Sequence, residues 1–285
     1  MKRYLIPLFA LLLPAALRAQ ETVSDGFSYG GRATLEVDVK LAKGLHLTAH
    51  EETRVYGGAE DIFRSYTGLG LEYKFNKFLR AGAEYERIYR LRSEVDDEDP
   101  GSISTSWSSR NRVNAFLTGT LHAGDWQFAL KETFRLTNRT DDFNTFQGPR
   151  NALTLKSKLT VKYRGMGKVV PYASFEMRNA LNDATYSATY NPYASSKTDR
   201  YLNEEFLGYR HAYVDRLRAQ IGLDVKFSKH HELIFYLMGD HYWTKDIDTN
   251  REGSESWAEN GLVLKSITWH TGNRLWGGIG YTFSF

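Results

Sequence analysis

The feature of this sequence that most constrains its fold is a two-residue alternation of apolar and polar side chains. Between residues 32 and 41, apolar side chains occupy every odd position and polar side chains occupy every even one. The same alternation runs through 151–164 and 216–228. Successive side chains of a β-strand point to opposite faces, so each segment predicts a strand with one apolar and one charged face. Because no 3.6-residue period is sustained, the chain is predicted to be all-β.

Turn residues divide this pattern into about twelve strands, within a range of ten to twelve. The strands are predicted near 31–42, 45–56, 62–75, 78–92, 109–123, 126–139, 151–164, 169–179, 209–228, 231–245, 259–269 and 274–285. Short turns are predicted at 42–44, 76–77, 124–125, 165–167 and 271–273, and longer polar loops at 93–108, 140–150, 180–208 and 246–258. Most of these strands exceed the length of about 5–6 residues that is typical of soluble sheets. Their length suits a tilted strand that crosses a bilayer, which needs about 9–11 residues.

Two architectures share this pattern. A soluble sandwich or calycin-like barrel turns its apolar faces inward, whereas a transmembrane barrel turns them outward to lipid. Strand length and aromatic residues near the strand ends favour an antiparallel up-and-down transmembrane β-barrel; these aromatic residues are Tyr56, Tyr73, Trp126, Trp243 and Trp269. A twelve-strand count puts the short turns on the outer side, although bacterial barrels normally have them in the periplasm. Either one strand is miscounted, with 259–269 as the first suspect, or the loop lengths are inverted.

The N-terminal segment has the layout of a secretory signal peptide. Lys2 and Arg3 precede a short apolar stretch at 5–17, and the small residue Ala19 precedes the predicted cleavage point. The apolar stretch is too short to span a bilayer as a helix. We therefore predict a signal peptide at 1–19 and a single barrel domain at 20–285, exported to the outer membrane of a Gram-negative bacterium.

The C-terminal strand carries a second export signal. Apolar side chains alternate from 275 to 285, and the last residue is aromatic. This strand looks like the recognition strand of bacterial outer-membrane barrels, which the barrel insertion machinery reads as glycine-x-x-aromatic-x-aromatic. Gly280, Phe283 and Phe285 match that spacing, and Tyr281 with Phe283 matches it from Gly278. An ordinary amphipathic edge strand is the alternative.

Several hairpins also resemble a known family. The segments 66–85, 131–135, 170–176 and 209–227 are similar to strands of a bacterial family of about this length that carries a domain-of-unknown-function label. The resemblance covers nearly the whole predicted mature chain and implies a porin-like outer-membrane barrel with a signal peptide. It implies no activity. The long 180–208 segment departs from the family pattern.

A search for catalytic or binding chemistry gives no convincing constellation, so we predict no enzyme, cofactor or metal. The chain has no cysteine, and its 37 basic and 34 acidic residues become balanced once the three basic residues of the leader are removed, which argues against nucleic acid as a partner. His46 and His50 lie about 13 Å apart on one strand face, too far for one metal. Glu84 and Glu86 share a face, so a carboxylate dyad is conceivable, but neutralised interior charges are the favoured interpretation. Asp240 and His241 point to opposite faces.

Two carboxylates fall on positions that the alternation assigns to lipid. They are Glu51 and Glu132, each seven residues after a short turn. A carboxylate there costs about 1–2 kcal/mol unless it is protonated, paired or displaced by a bulge. We favour bulges.

Side-chain parity places more basic than acidic residues inside the barrel. The predicted lumen-lining basic residues are Arg54, Arg80, Arg112, Lys131, Arg135, Lys156, Lys158, Arg216 and Arg218. We therefore predict a monomeric outer-membrane barrel, in contact with outer-membrane lipids, that acts as a narrow channel or passive pore. The excess of basic residues predicts that this channel favours anions. An outer-membrane lipid or peptide hydrolase and a plugged structural or surface-binding barrel are the alternatives.

Overall fold

The computed structural model of the chain describes residues 21–57, 61–95, 103–140, 144–191, 193–195, 201–249 and 264–285. The predicted signal peptide lies outside these residues. Eleven strands make up nearly all of them: β1 (Glu21–Ala42), β2 (Leu45–Gly57), β3 (Asp61–Lys74), β4 (Leu79–Val95), β5 (Ile103–Ala123), β6 (Trp126–Arg139), β7 (Asn151–Tyr163), β8 (Val169–Tyr190), β9 (Tyr201–Lys226), β10 (His231–Thr249) and β11 (Leu264–Ser284). Among the described residues, no helix is long and apolar enough to cross a membrane.

The strands close into one barrel. Each strand from β1 to β10 pairs antiparallel with the next strand, and β10 pairs antiparallel with β11. β1 and β11 then pair in parallel, from Glu21 opposite Thr268 to Asp38 opposite Ser284. The predicted all-β, up-and-down barrel is therefore confirmed. A parallel closure follows from the odd number of described strands, because the first and last strands then run in the same direction.

The predicted turn at 271–273 is wrong, and it accounts for the extra strand in the sequence-based count. β11 continues through these residues, which pair in unbroken register with 241–243 of β10. Gly272 serves packing rather than a turn: a Cβ at this position would lie 2.5 Å from the hydroxyl oxygen of Tyr242. The absence of a side chain at Gly272 thus makes room for the tyrosine ring.

The two ends of the barrel differ in the length of their connections. Short turns at 43–44, 124–125 and 165–168 join strands at one end, as do the bends at 76–78 and 227–230. The C-terminus lies at this short-turn end, where the Phe285 amide donates a hydrogen bond to the Asp38 carbonyl over 2.9 Å. With eleven strands, the short turns and the C-terminus share one end, so the conflict in the twelve-strand count came from a miscounted strand.

At the opposite, long-loop end, the strands extend further than the sequence predicts. β8 and β9 continue through most of the predicted 180–208 loop. β4 and β5 extend into the predicted 93–108 loop from both sides, and β10 continues to Thr249. Pairing between β8 and β9 shifts register five times, beginning between Arg178 and Asn179. Each irregularity breaks the two-residue alternation while the ladder continues. The sequence pattern therefore ends before the strands do.

The barrel is apolar outside and polar inside. Leu35, Ile221 and Leu237 expose more than half of their surface on the outer face, whereas Glu86 and Asp224 are buried inside. A water-soluble barrel has the opposite distribution. Of the predicted girdle aromatics, Tyr73 and Trp126 are exposed, but Tyr56 points inward and packs edge-on against Trp276.

Candidate functional site in the barrel interior

The interior contains two adjoining cavities. The lower cavity, nearer the short-turn end, has a volume of about 500 Å³, and the upper cavity, nearer the long-loop end, has about 220 Å³. Five residues line both cavities, and we call this set the junction: Arg54, Arg135, Lys156, Glu176 and Arg218. They come from β2, β6, β7, β8 and β9. Four basic side chains and one carboxylate thus lie where the two cavities meet.

The structure places the predicted lumen residues as follows. Eight of the nine line at least one cavity: Arg54, Arg112, Lys131, Arg135, Lys156, Lys158, Arg216 and Arg218. Arg80 lies apart from both, near the short-turn end, where its Nη1 is 3.2 Å from Glu72 Oε1. The alternation of inward and outward positions therefore identified most of the side chains that face the cavities. Their effect on ion selectivity stays a prediction.

Carboxylates neutralise part of the positive charge at the junction. Lys156 Nζ lies 3.0 Å from Glu176 Oε2, and Arg218 Nη1 lies 3.3 Å from Glu176 Oε1. Arg218 also donates from Nε and Nη2 to the two oxygens of Asp240, over 2.6 and 3.1 Å. Trp276 Nε1 donates to Asp240 Oδ2 over 3.0 Å. Both carboxylates are therefore fully engaged by groups already inside the barrel.

Other guanidinium groups have no close carboxylate among the described residues. Arg135 Nε donates to the amide oxygen of Asn114 over 2.8 Å. Arg274 Nε donates to the Ser28 hydroxyl over 2.9 Å. Arg216 comes no closer than 3.8 Å to Asp240, and its buried Nε has no hydrogen-bond partner. All three guanidinium groups line the upper cavity, where nine of the lining side chains are basic and Glu176 alone is acidic.

Two carboxylates that line the lower cavity, Glu84 and Glu86, flank a histidine. His50 Nδ1 lies 3.1 Å from Glu84 Oε1, and His50 Nε2 lies 3.5 Å from Glu86 Oε1. Asn114 Nδ2 donates to the second oxygen of each carboxylate, over 2.8 and 3.0 Å. The three ligand atoms lie within 4.8 Å of one another, a spacing that a divalent cation could bridge. Arg112 Nη1, 3.3 Å from Glu86 Oε2, opposes such binding because it already neutralises that carboxylate.

Sequence reasoning missed this arrangement because it compared residues within single strands. His46 and His50 are separated as expected, with His46 Nδ1 3.0 Å from Asp38 Oδ1. His50 meets Glu86 because both lie in one row across β2, β3 and β4, with Gly68 between them. The sequence feature that indicates this contact is the inward-facing Gly68 of β3. Because it has no side chain, the ring of His50 on β2 can reach Glu86 on β4.

The long-loop end carries a structure that we call the cap. It consists of the upper parts of β8 and β9 (183–190 and 201–211), the upper parts of β10 and β11 (244–249 and 264–269) and the turn 144–149. Ala184, Ile247 and Leu264 form its buried apolar core. The hydroxyl groups of Tyr186 and Tyr209 donate to backbone carbonyls of the turn, over 2.5 and 2.7 Å. The turn between β6 and β7 is thereby attached to β8 and β9, the next two strands of the barrel.

The two outward carboxylates are not displaced by bulges, so that hypothesis is wrong. Pairing runs in unbroken register through Glu51 and Glu132 on both neighbouring strands. Ser65 and Thr67 donate hydroxyl hydrogen bonds to the two oxygens of Glu51, and the Thr67 bond is 2.5 Å long. Ser157 donates to Glu132 over 2.6 Å. Neighbouring hydroxyl groups thus satisfy carboxylates that face outward.

Asp240 and His241 point to opposite faces of β10, as the alternation predicts. Asp240 faces inward, whereas His241 Nδ1 donates to the amide oxygen of Asn273 on the exposed face, over 2.9 Å. His230 and His231 lie at the short-turn end and contact residues of β11: His230 Nδ1 is 2.6 Å from the Ser284 carbonyl, and His231 Nδ1 is 2.6 Å from the Tyr281 hydroxyl. The assignment as a non-enzyme stays a prediction.

The predicted assembly residues lie at the short-turn end. Gly280 and Tyr281 border the lower cavity, and the rings of Phe283 and Phe285 pack edge-on with centroids 4.4 Å apart. Phe283 also contacts His231, with ring centroids 4.9 Å apart. The aromatic end of β11 is thus packed against the first residue of β10. Its recognition by an insertion machinery stays a prediction.

Comparison with known proteins identifies no relative: no protein-family model matches the chain, and no curated protein matches it. The resemblance to a family of outer-membrane barrels therefore stays a prediction.

Proposed function

We propose that the protein is an outer-membrane β-barrel that acts as a narrow channel for small anions. The observation that carries this proposal is the junction, where four basic side chains and one carboxylate line the passage between two interior cavities. Rings of arginine and lysine favour anions in channels. The low-dielectric wall of a barrel concentrates the field of such a ring on the passage.

The distribution of polarity supports insertion in a membrane. Backbone groups in a bilayer must be satisfied within the protein, and a closed barrel satisfies them. The outward face supplies apolar side chains such as Leu35, Leu117 and Leu237 around the barrel. The proposal includes outer-membrane lipids and the barrel insertion machinery as partners, a cleaved N-terminal leader and a monomeric state.

A denaturing gel tests the membrane barrel. Protein refolded in detergent should run at a different apparent mass before and after boiling, because a closed barrel resists the detergent until it is heated. Identical mobility, together with solubility without detergent, would contradict a membrane barrel.

Conductance and selectivity test the channel. Reversal potentials across a planar bilayer with a salt gradient should show anion selectivity. Arg135→Gln removes a junction charge that forms no ion pair with a described carboxylate, so it should shift the reversal potential toward cations. Arg80→Gln is the matched control, because Arg80 lines neither cavity and should leave selectivity unchanged. Cation selectivity of the unaltered protein would disprove the basic-passage proposal.

A plugged binding barrel is the second candidate, and the cap favours it. The hydrogen bonds from Tyr186 and Tyr209 hold the turn 144–149 against β8 and β9 at the long-loop end, and Asn144 Nδ2 of this turn donates to Thr249 Oγ1 of β10 over 2.9 Å. A plugged barrel should conduct no ions, and Tyr186→Phe with Tyr209→Phe should then open a measurable conductance by releasing the turn.

A further inference from the structure

We propose that the upper cavity is a binding site for a phosphate group, either free inorganic phosphate or the phosphate of a small monoester. The site is formed by Arg216 and Arg274, together with Arg135 of the junction. This inference deepens the proposed function, since it names the solute class that the same interior takes up, and it rests on that function for the solute's entry.

Arg216 has donor capacity that the barrel does not use. Its Nε is buried and has no hydrogen-bond partner among the described residues. Its nearest carboxylate, Asp240, is 3.8 Å away. Both Asp240 oxygens already accept hydrogen bonds from Arg218 and Trp276. Because Asp240 neutralises Arg216 only at a distance, an anion in the upper cavity that accepted from this guanidinium group would bind favourably.

Aromatic rings hold Arg274 in place, and no described carboxylate pairs with it. Its guanidinium carbon lies 5.1 Å from the ring centre of Tyr56, 5.2 Å from that of Tyr242 and 5.6 Å from that of Trp276. Its Nε is occupied by the Ser28 hydroxyl. The aromatic rings and this hydrogen bond fix the side chain and leave its terminal nitrogens available. A guanidinium group fixed in this way matches the oxygen spacing of phosphate in a bidentate geometry.

Two neighbouring arginines, in contrast, are each neutralised by a carboxylate inside the barrel. Arg178 meets Asp215 through Nη2 at 2.6 Å and through Nε at 2.7 Å. Arg218 meets Asp240 through two nitrogens as well. These complete arginine–carboxylate pairs serve only to neutralise one another. Among the described residues, Arg274 and Arg135 form no ion pair and Arg216 makes only the 3.8 Å contact with Asp240, so the charge of these three side chains is available to a ligand.

The size of the cavity favours a small, highly charged ligand. About 220 Å³ is below the range of about 300–1,000 Å³ that holds drug-sized molecules. Tyr242 and Thr244 also line the cavity. The Tyr242 hydroxyl donates to Asp25 Oδ2 over 3.2 Å, which leaves the Thr244 hydroxyl as a donor to a phosphate oxygen. A phosphate group fits these conditions better than a large polyanion, and its charge distinguishes it from chloride.

Titration calorimetry on the full chain refolded in detergent tests the site. Inorganic phosphate, added at constant chloride concentration, should bind with a stoichiometry of one. Arg216→Gln and Arg274→Gln should each weaken binding about tenfold or more, because each removes charge-assisted hydrogen bonds to the anion. Arg80→Gln should bind phosphate as the unaltered protein does. Arg216→Lys keeps the charge without the planar fork, so its affinity should fall between those of the unaltered protein and Arg216→Gln.

A second arm uses a sugar phosphate monoester and separates the two sources of the group. Tighter binding of the monoester points to a phosphorylated solute, and tighter binding of inorganic phosphate points to the free ion. Gel mobility before and after boiling shows whether each variant is folded. No phosphate binding by the folded, unaltered protein, or equal binding by all folded variants, would overturn the site.

The site and the channel fail separately. Anion-selective conductance without phosphate binding would reject the site and keep the channel. Phosphate binding without conductance would reject the channel and keep the site.

Discussion

Arg32 and Trp276 face each other across the parallel seam of the barrel, with the guanidinium carbon of Arg32 4.4 Å from the ring centre of Trp276. Trp276 is 1% exposed and packs edge-on against Tyr56. Gly30 leaves room for the indole, since a Cβ there would lie 2.5 Å from it. Parallel strand pairs are slightly less stable per residue than antiparallel ones. Side-chain packing therefore contributes a larger share of the stability of the β1–β11 pair that closes the barrel. The aromatic cluster therefore holds the first and last strands together.

Removing the indole should weaken the seam. We expect Trp276→Ala to lower the free energy of unfolding by about 3–5 kcal/mol, because it empties a buried aromatic site and removes the contact with Arg32. Denaturant titration in lipid vesicles, followed by gel mobility, measures this change. Trp126→Ala is the matched control, since Trp126 is 48% exposed on the outer face and should cost much less. Equal losses in the two variants would contradict a special role for the seam.

The fold was predictable because alternation is a local property of the sequence. Each amphipathic segment identified its strand and its inward face without knowledge of its neighbours. Gly272 misled the prediction because glycine has two uses in a sheet, a turn and a space for a neighbouring side chain, and only the partner Tyr242 distinguishes them. The extensions of β8 and β9 were missed because bulges interrupt the alternation there.

The candidate site was predictable only in part. Parity identified the side chains that line the cavities, but which charges meet depends on register across several strands. Thus Arg218 pairs with Asp240 of the next strand at 2.6 Å, whereas Arg216, on the same face and two residues away, comes no closer than 3.8 Å to that carboxylate. The cap depends on contacts between Tyr186 and a turn 40 residues earlier, which no local pattern encodes.

The hydroxyl groups around Glu51 should matter more than the carboxylate itself. Ser65→Ala with Thr67→Ala leaves an outward carboxylate without donors, and we expect a loss of about 1–3 kcal/mol in the free energy of unfolding in vesicles. Adding Glu51→Leu to this double variant should restore stability, because no carboxylate then needs a partner. Ser157→Ala, with and without Glu132→Leu, provides a second pair of the same design. Failure of the leucine substitution to restore stability would show that the carboxylate needs no hydroxyl partners.

The aromatic end of β11 should be needed for assembly. Replacing Phe283 and Phe285 with serine removes the ring pair and the predicted recognition signal, so the amount of protein in the outer membrane should fall and periplasmic degradation should increase. Phe227→Ser is the control, since Phe227 is an exposed aromatic at the same end of the barrel but outside β11. Normal outer-membrane levels of the double variant would show that this strand end is not a signal.

The cap should loosen in acid through His211. His211 stacks on Tyr213, and its Nδ1 lies 3.2 Å from Lys245 Nζ, which is also 3.0 Å from Asp183 Oδ2. A charged lysine can donate only to a neutral imidazole, and burial together with this lysine lowers the pKa of His211 below its usual value of 6.5.

The opened cap then binds the proton more readily than the closed cap, so closure is most stable above about pH 6.5 and loses stability as the pH falls below it. Since the chain has no cysteine, Ala184→Cys gives a single label in the cap core, and its modification rate should rise several-fold on acidification relative to that of the exposed control Tyr193→Cys. His211→Gln should abolish this rise, and a rise that persisted in that variant would assign the pH response to another group.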